Sequence, residues 1–243
     1  MGGAETKMSG TEMSRTEFDL HADTYDADLN QALSVTGEDK NYFAIHRVDW
    51  VARCLAELQV RPSQILDYGC GIGDTSQLLQ TAFKSQRVIG VDISQRSIEL
   101  AAERNGTAEC QFMSFSAFAE PQSVDLAYCN GVFHHIPVAM RDAAVEYIYR
   151  RLRPGGLFAF WENNPWSPGT RYVMSQCVFD RDAITIPPPQ ARALLQKQGF
   201  EILRTDFRFF FPRFLGALRF IEAKLSRIPL GAQYQVLCQK PKL

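Results

Sequence analysis

The stretch ILDYGCGIGDTSQLL, residues 65–79, decides the fold. A short apolar run enters three alternating glycines, Gly69, Gly71 and Gly73, and leaves as a polar sequence that turns helical. A strand, a close-contact turn and a helix in series read this way. Glycines at such a turn let backbone approach a bound molecule. The flanking carboxylates, Asp67 and Asp74, limit which molecule that is.

Outward from this turn, strand and helix patterns alternate. QILDYG is followed by a helix DTSQLLQTAF, then RVIGVDI, a helix QRSIELAAERNG, ECQFMS, VDLAYCN, a helix VAMRDAAVEYIYRRL and GLFAFWE. That order predicts a parallel sheet with crossover helices, an α/β fold of the Rossmann-like kind. Upstream, TEFDLHADTYDADLNQAL and YFAIHRVDWVARCLAEL carry apolar residues at helical spacing and read as a helical N-terminal cap ending before Pro62. Downstream, the pattern loosens past NNPWSPGT, resumes as a helix PPQARALLQKQG, and ends with FEILRTDFRFFF, a helical RFLGALRFIEAKLSR and AQYQVLCQK. Residues 1–16 are small and polar without periodicity and are expected to be disordered. Residues 17–243 are expected to form one domain, with a cap over 17–61, a cofactor-binding core over 62–162 and acceptor-side and C-terminal strands over 163–243.

A dinucleotide-binding turn has the spacing GxGxxG and seats a pyrophosphate on a helix N-terminus. Here the spacing is GxGxG, and Asp74 stands where the third dinucleotide glycine would fall. Asp67 and Asp74 would both repel a phosphate. A ligand carrying an ammonium and a sulfonium, and no phosphate, suits that lining instead. S-adenosylmethionine has that chemistry. Asp92, 19 residues after Gly73 at the end of RVIGVD, is placed to accept both ribose hydroxyls.

Together, ILDYGCGIGD, VIGVDIS, VDLAYCNGVFHHIP and LRPGGLFAF resemble the class I S-adenosylmethionine-dependent methyltransferases, over about residues 18 to 162. The resemblance implies a seven-stranded, mostly parallel sheet whose last strand is antiparallel, with helices on both faces. It also implies S-adenosyl-L-methionine as cofactor and S-adenosyl-L-homocysteine as product. Gly69, Gly71 and Gly73 would let the backbone approach the cofactor, with Cys70 and Ile93 beside it. Asp67 would hold the amino end through water or backbone, and Asn130 and Gly131 would contact the methionine part by backbone. Where the family often has a carboxylate for the adenine amine, this chain offers Ser114 and Phe115. FDLHADTYD resembles the family's aromatic-rich opening helix and makes Tyr25 a candidate lid residue over the sulfonium by cation–π contact.

Methyl transfer from a sulfonium is an in-line displacement whose thioether leaving group needs no acid, so positioning and water exclusion carry much of the catalysis. A base is needed only for an acceptor that arrives protonated. The acceptor is expected beyond the ends of strands four and five, which selects GVFHHIP, with His134 and His135, and WENNPWSPGTR, with Glu162. His135 is the favoured general base for a hydroxyl, and either histidine or Glu162 has an ordinary structural alternative. Arg171 and Arg181 are candidates for an acidic acceptor or for ion pairs with neighbouring carboxylates.

Composition narrows the rest. With 26 basic and 27 acidic residues, no global field favours nucleic acid, and a small-molecule acceptor, hydrophobic or ring-bearing and methylated on oxygen, is expected. No metal is expected. Six cysteines without a CxxC pair suit buried reduced thiols and a cytoplasmic protein, monomer or homodimer. Residues 207–227 pair aromatics with Arg213, Arg219, Lys224 and Arg227, and Phe214, Leu218, Ile221 and Leu225 would share one α-helical face. That face would cover the sheet edge or touch membrane, as suits a lipid, quinone or lipid-linked sugar methylated at carbon or nitrogen. Two rivals stand beside methyl transfer: a nicotinamide oxidoreductase, and a silent partner that binds the cofactor without turnover.

Overall fold

The computed structural model describes residues 25–177 and 183–242, with the backbone alone for 25–28. The expected disorder of residues 1–16, the Tyr25 side chain and Arg181 lie outside the described residues. The chain order is α1 (Tyr25–Leu33), α2 (Lys40–Glu57), β1 (Gln64–Tyr68), α3 (Asp74–Phe83), β2 (Arg87–Asp92), α4 (Gln95–Asn105), β3 (Cys110–Ser114), β4 (Val124–Asn130), α5 (Arg141–Arg151), β5 (Leu152–Asn163), α6 (Pro168–Gln176), α7 (Pro188–Lys197), β6 (Glu201–Arg208), α8 (Glu222–Leu225) and β7 (Gln233–Gln239).

One sheet takes all seven strands in the order β3-β2-β1-β4-β5-β7-β6. β1 to β5 pair parallel, while β7 runs antiparallel to both β5 and β6. The expected architecture is therefore the observed one. Because a strand alternates its side chains between two faces, each central strand supplies two cores. Leu66, Ala127, Cys129, Phe158 and Phe160 pack with Val145, Ile148, Ala191 and Leu195 of α5 and α7. Ile65, Leu126, Tyr128, Leu157 and Trp161 pack with Val51, Leu55 and Leu79 of α2 and α3. Helices on both faces leave the strand ends as the open place. The strand order reverses between β1 and β4, and their carboxyl ends meet at Tyr68 and Cys129 in adjacent register. That is the switch point where ligands of open α/β sheets bind.

α3 is capped by Gly73 in a left-handed conformation, and Asp74 pairs with Lys40 at 2.6 Å. Two local readings are corrected. SPGTRYVMSQ, read as loosened chain, begins α6: the Ser167 hydroxyl accepts from Thr170 N–H, and Pro168 occupies the first turn. The segment after β6 is a 3₁₀ helix over Arg213–Ile221 followed by the short α8, so the α-helical face of Phe214, Leu218, Ile221 and Leu225 is not built. No disulfide forms among the described residues, and all six cysteines are buried.

Candidate active site

The turn after β1 is fastened to β2. Gly69 and Cys70 N–H both donate to Val91 O, at 2.8 and 3.1 Å, and Gly71 N–H donates to Asp92 Oδ2 at 2.8 Å. All three glycines have positive φ, but they serve different ends. A Cβ on Gly69 would lie 2.4 Å from a Val132 methyl, and one on Gly73 would lie 2.5 Å from the Phe112 ring. A Cβ on Gly71, at φ +53, meets nothing within 4 Å. Gly69 and Gly73 therefore allow protein to pack against the turn, and Gly71 alone opens onto space.

That space is a cavity of about 490 Å³, within the range of small-ligand sites. Three carboxylates line it: Asp67 from β1, Asp92 from β2 and Asp74 from α3. Asp92 spans two elements, accepting from Gly71 N–H through Oδ2 and from Ser94 N–H through Oδ1 at 2.9 Å. Two cations also line the cavity, both from α2. Lys40 is held by Asp74, while buried Arg47 donates to Tyr128 Oη at 3.3 Å and to Gln233 Oε1 at 2.9 Å. Asn130 Oδ1, at the end of β4, is buried with no hydrogen-bond partner among the described residues. It is an acceptor on the lining that a bound donor would satisfy.

Asp67 is almost wholly buried and accepts from Ser76 Oγ at 2.6 Å. Burial pushes its carboxyl up to about 7; Asp92 adds to the rise, while the Ser76 hydrogen bond and the Arg47 charge oppose it. A cationic ligand near Asp67 stabilises the ionised form. Its binding should therefore release a proton around neutral pH, with affinity rising as pH climbs toward about 7 and then levelling. Calorimetry of S-adenosylmethionine binding in buffers of different ionisation enthalpy checks this, and a heat independent of buffer would refute it. In the unliganded protein the sign is opposite. A raised folded-state pKa gives stability that is full below the unfolded value, around 4, and is lost as pH rises through about 7.

The opposite wall is aromatic and aliphatic: Phe115, Val132, Ile136, Met140 and Tyr147 line it with Tyr68. Tyr68, Phe115 and Tyr147 pack with ring centroids 4.8 to 5.8 Å apart. Tyr147 Oη donates across to the loop after β3, with Phe115 O at 3.0 Å and Phe118 O at 3.1 Å as its acceptors. Phe115, Ile93, Cys70, Asn130 and Gly131 line the cavity. Ser114 and Gly73 do not line it. The Ser114 hydroxyl pairs with Ser116 instead, at 3.1 Å.

The histidine pair divides. His134 is buried, and its Nδ1 lies 2.6 Å from Glu162 Oε2. Glu162 Oε1 accepts from the backbone N–H of Phe133 at 2.8 Å and of His134 at 3.3 Å. Neither side chain lines the cavity. The end of β5 thereby clamps the loop after β4, which is the anchoring alternative for Glu162 and for one histidine. His135, its ring tilted 50° to that of His134 with centroids 4.1 Å apart, does line the cavity. Arg171 is exposed on α6 and away from it. No cluster of three metal-ligating side chains exists among the described residues.

Sequence reasoning missed Arg47, Lys40 and Tyr147. Arg47 and Lys40 sit in a helix whose polar residues read as a solvated face, and only the packing of α2 across the switch point turns them inward.

Residues 65–156 match the family model of a methyltransferase domain. Among curated proteins, the trans-aconitate 2-methyltransferase of Azoarcus sp. (strain BH72) is 30% identical over 127 residues, 51% of this chain and 49% of that protein. The enzyme of the same name from Variovorax paradoxus (strain S110) is 29% identical over 98 residues, 40% and 37%. The match therefore spans half or less of these relatives' length. Among solved structures, magnesium protoporphyrin IX methyltransferase from Synechocystis PCC 6803 with bound S-adenosylmethionine superposes with a TM-score of 0.60 at 17% identity, covering 98% of this chain and 100% of that one. The [4+2]-cyclase SpnF superposes at 0.58 and 18% identity, covering 80% and 81%. At such identities the structures establish the fold alone.

Proposed function

We propose that this chain, whose residues 65–156 match a methyltransferase domain, is a class I S-adenosylmethionine-dependent methyltransferase and transfers the cofactor's methyl group to a small, largely apolar acceptor, on oxygen. One observation supports the cofactor site above the others: Gly71 is the single glycine of the turn whose missing side chain leaves open space, and the carboxylate of Asp92 holds its N–H. The residues present fit the cofactor. Asp92 would accept the ribose hydroxyls, Asp67 and Asn130 would face the amino end, and Phe115 with Ile93 would flank the adenine. Bound there, S-adenosylmethionine supplies an activated methyl group.

The wall of Ile136, Met140 and Tyr147 supports an apolar acceptor. Among the described lining residues Lys40 is paired with Asp74, while Arg47 donates to the neutral groups of Tyr128 and Gln233 and keeps its charge. A polycarboxylate such as trans-aconitate would need more than that one cation to face it. A hydroxyl acceptor needs somewhere to put its proton, and His135 is the lining group that can take it near neutral pH. Glu162 and His134 act through position, holding the loop on which His135 stands.

Asp92→Ala should weaken S-adenosylmethionine binding tenfold or more, a cost of about 1.5 to 3 kcal/mol for losing a charged hydrogen-bond partner. Asp92→Asn, which keeps one acceptor oxygen, should retain part of that affinity. Titration calorimetry on both variants tests the assignment, and unchanged affinity in the alanine variant would reject it.

A further inference from the structure

The 3₁₀ segment Arg213–Ile221 leaves a surface that the cavity does not use. Phe214 and Phe220 stand at the two ends of this segment, with a kink at Leu215 between them. Both rings project into solvent, with Phe214 80% and Phe220 79% exposed, and Leu215 and Leu218 between them stand partly exposed. Large aromatics this open are a cost unless something covers them.

The charge around the rings is one-sided. Residues 209–230 contain four basic side chains and one acidic one, Glu222. Glu222 is buried, accepting from the N–H groups of Phe210 and Phe211. Arg213 and Lys224 are exposed, and Arg227, also exposed, reaches Asp206 at 3.7 Å. Arg219 turns the other way, pairing with Glu38 at 2.9 Å and lying over the Tyr42 ring at 4.5 Å. It fastens the segment to the chain just ahead of α2 and to the Tyr42 ring.

We propose that Phe214 and Phe220, with the exposed cations Arg213 and Lys224 on the same segment, dock the protein on an anionic lipid surface. Exposed apolar rings beside cations that no carboxylate cancels complement an interface of acyl chain under anionic headgroup. A protein partner would supply carboxylates for the two cations but would not require two phenylalanines to stand free of a groove. The inference does not depend on the methyl-transfer reading, since docking is read without catalysis.

Flotation or co-sedimentation of the full chain with phosphatidylglycerol–phosphatidylcholine vesicles, compared with phosphatidylcholine alone, tests it. Binding to the anionic vesicles is expected, weakened at least tenfold by Phe214→Ser with Phe220→Ser, and weakened by Lys224→Ala or by high salt. Calorimetric affinity for S-adenosylmethionine and the thermal midpoint should match wild type in these variants, which shows that they fold. Absence of binding to either vesicle, equal binding to both, or undiminished binding by the folded double variant would each overturn the proposal. Self-association that the double variant abolishes, without lipid binding, would also overturn it and assign the rings to a contact between copies of this chain.

Discussion

Gly71→Val should lower S-adenosylmethionine affinity by at least about two orders of magnitude, roughly 2.8 kcal/mol at 1.4 kcal/mol per tenfold, while the sheet and its helices still form. Two effects add. The valine side chain would occupy the space that a Cβ at this position enters unopposed, and φ at +53 is disfavoured for a branched residue. Gly69→Ala and Gly73→Ala are the contrast. Their new methyl groups would press on Val132 and Phe112, so they should lower the thermal midpoint first and affinity as a consequence. Calorimetry with parallel melting curves separates the two classes. A Gly71→Val protein that binds as wild type would mean that all three glycines merely shape the turn.

His135→Ala should lower turnover by about 10² to 10⁴ with cofactor affinity unaltered, because a base acts on the transition state and not on the bound cofactor. For a hydroxyl acceptor, wild-type rate should rise with pH through the imidazole's titration. The variant should lose that limb and recover at alkaline pH, where the acceptor ionises by itself. His134→Ala should behave differently, since its ring is committed to Glu162 and buried. Its loss should appear as lowered stability and a displaced loop. Coincident pH–rate profiles for wild type and His135→Ala would remove His135 from the mechanism and leave positioning as the whole account. That outcome is also what a carboxylate acceptor predicts, since it arrives ionised.

Most of the sheet was legible because its central strands are buried on both faces. Runs such as ILDY and VDLAYCN then stand out as continuous apolar segments bounded by turns. The acidic side of the cavity was legible for a related reason: Asp67, Gly71 and Asp92 are adjacent to strand ends, and strand ends are what the alternation locates. The functions of Gly69 and Gly73 were not legible. They depend on Val132 and Phe112, which reach the turn from β4's following loop and from β3, and no local pattern carries that contact. Glu162 illustrates the same limit. A carboxylate at the end of strand five reads equally as a catalytic group or an anchor until the N–H groups of Phe133 and His134 are seen to converge on it. At the C-terminal segment the error was one of period. The spacing of Phe214, Leu218, Ile221 and Leu225 fits an α-helix, yet the chain winds at three residues per turn over Arg213–Ile221, and the phenylalanines face outward.

The central claim is that the cavity beneath Gly71 receives S-adenosylmethionine. Titration calorimetry of the wild-type protein with S-adenosylmethionine and, separately, with NAD tests it most directly. Saturable one-to-one binding of S-adenosylmethionine with no measurable heat from NAD is the expected result, because Asp67, Asp74 and Asp92 line the cavity and disfavour a pyrophosphate. Binding of NAD at comparable affinity, or no binding of S-adenosylmethionine, would contradict it.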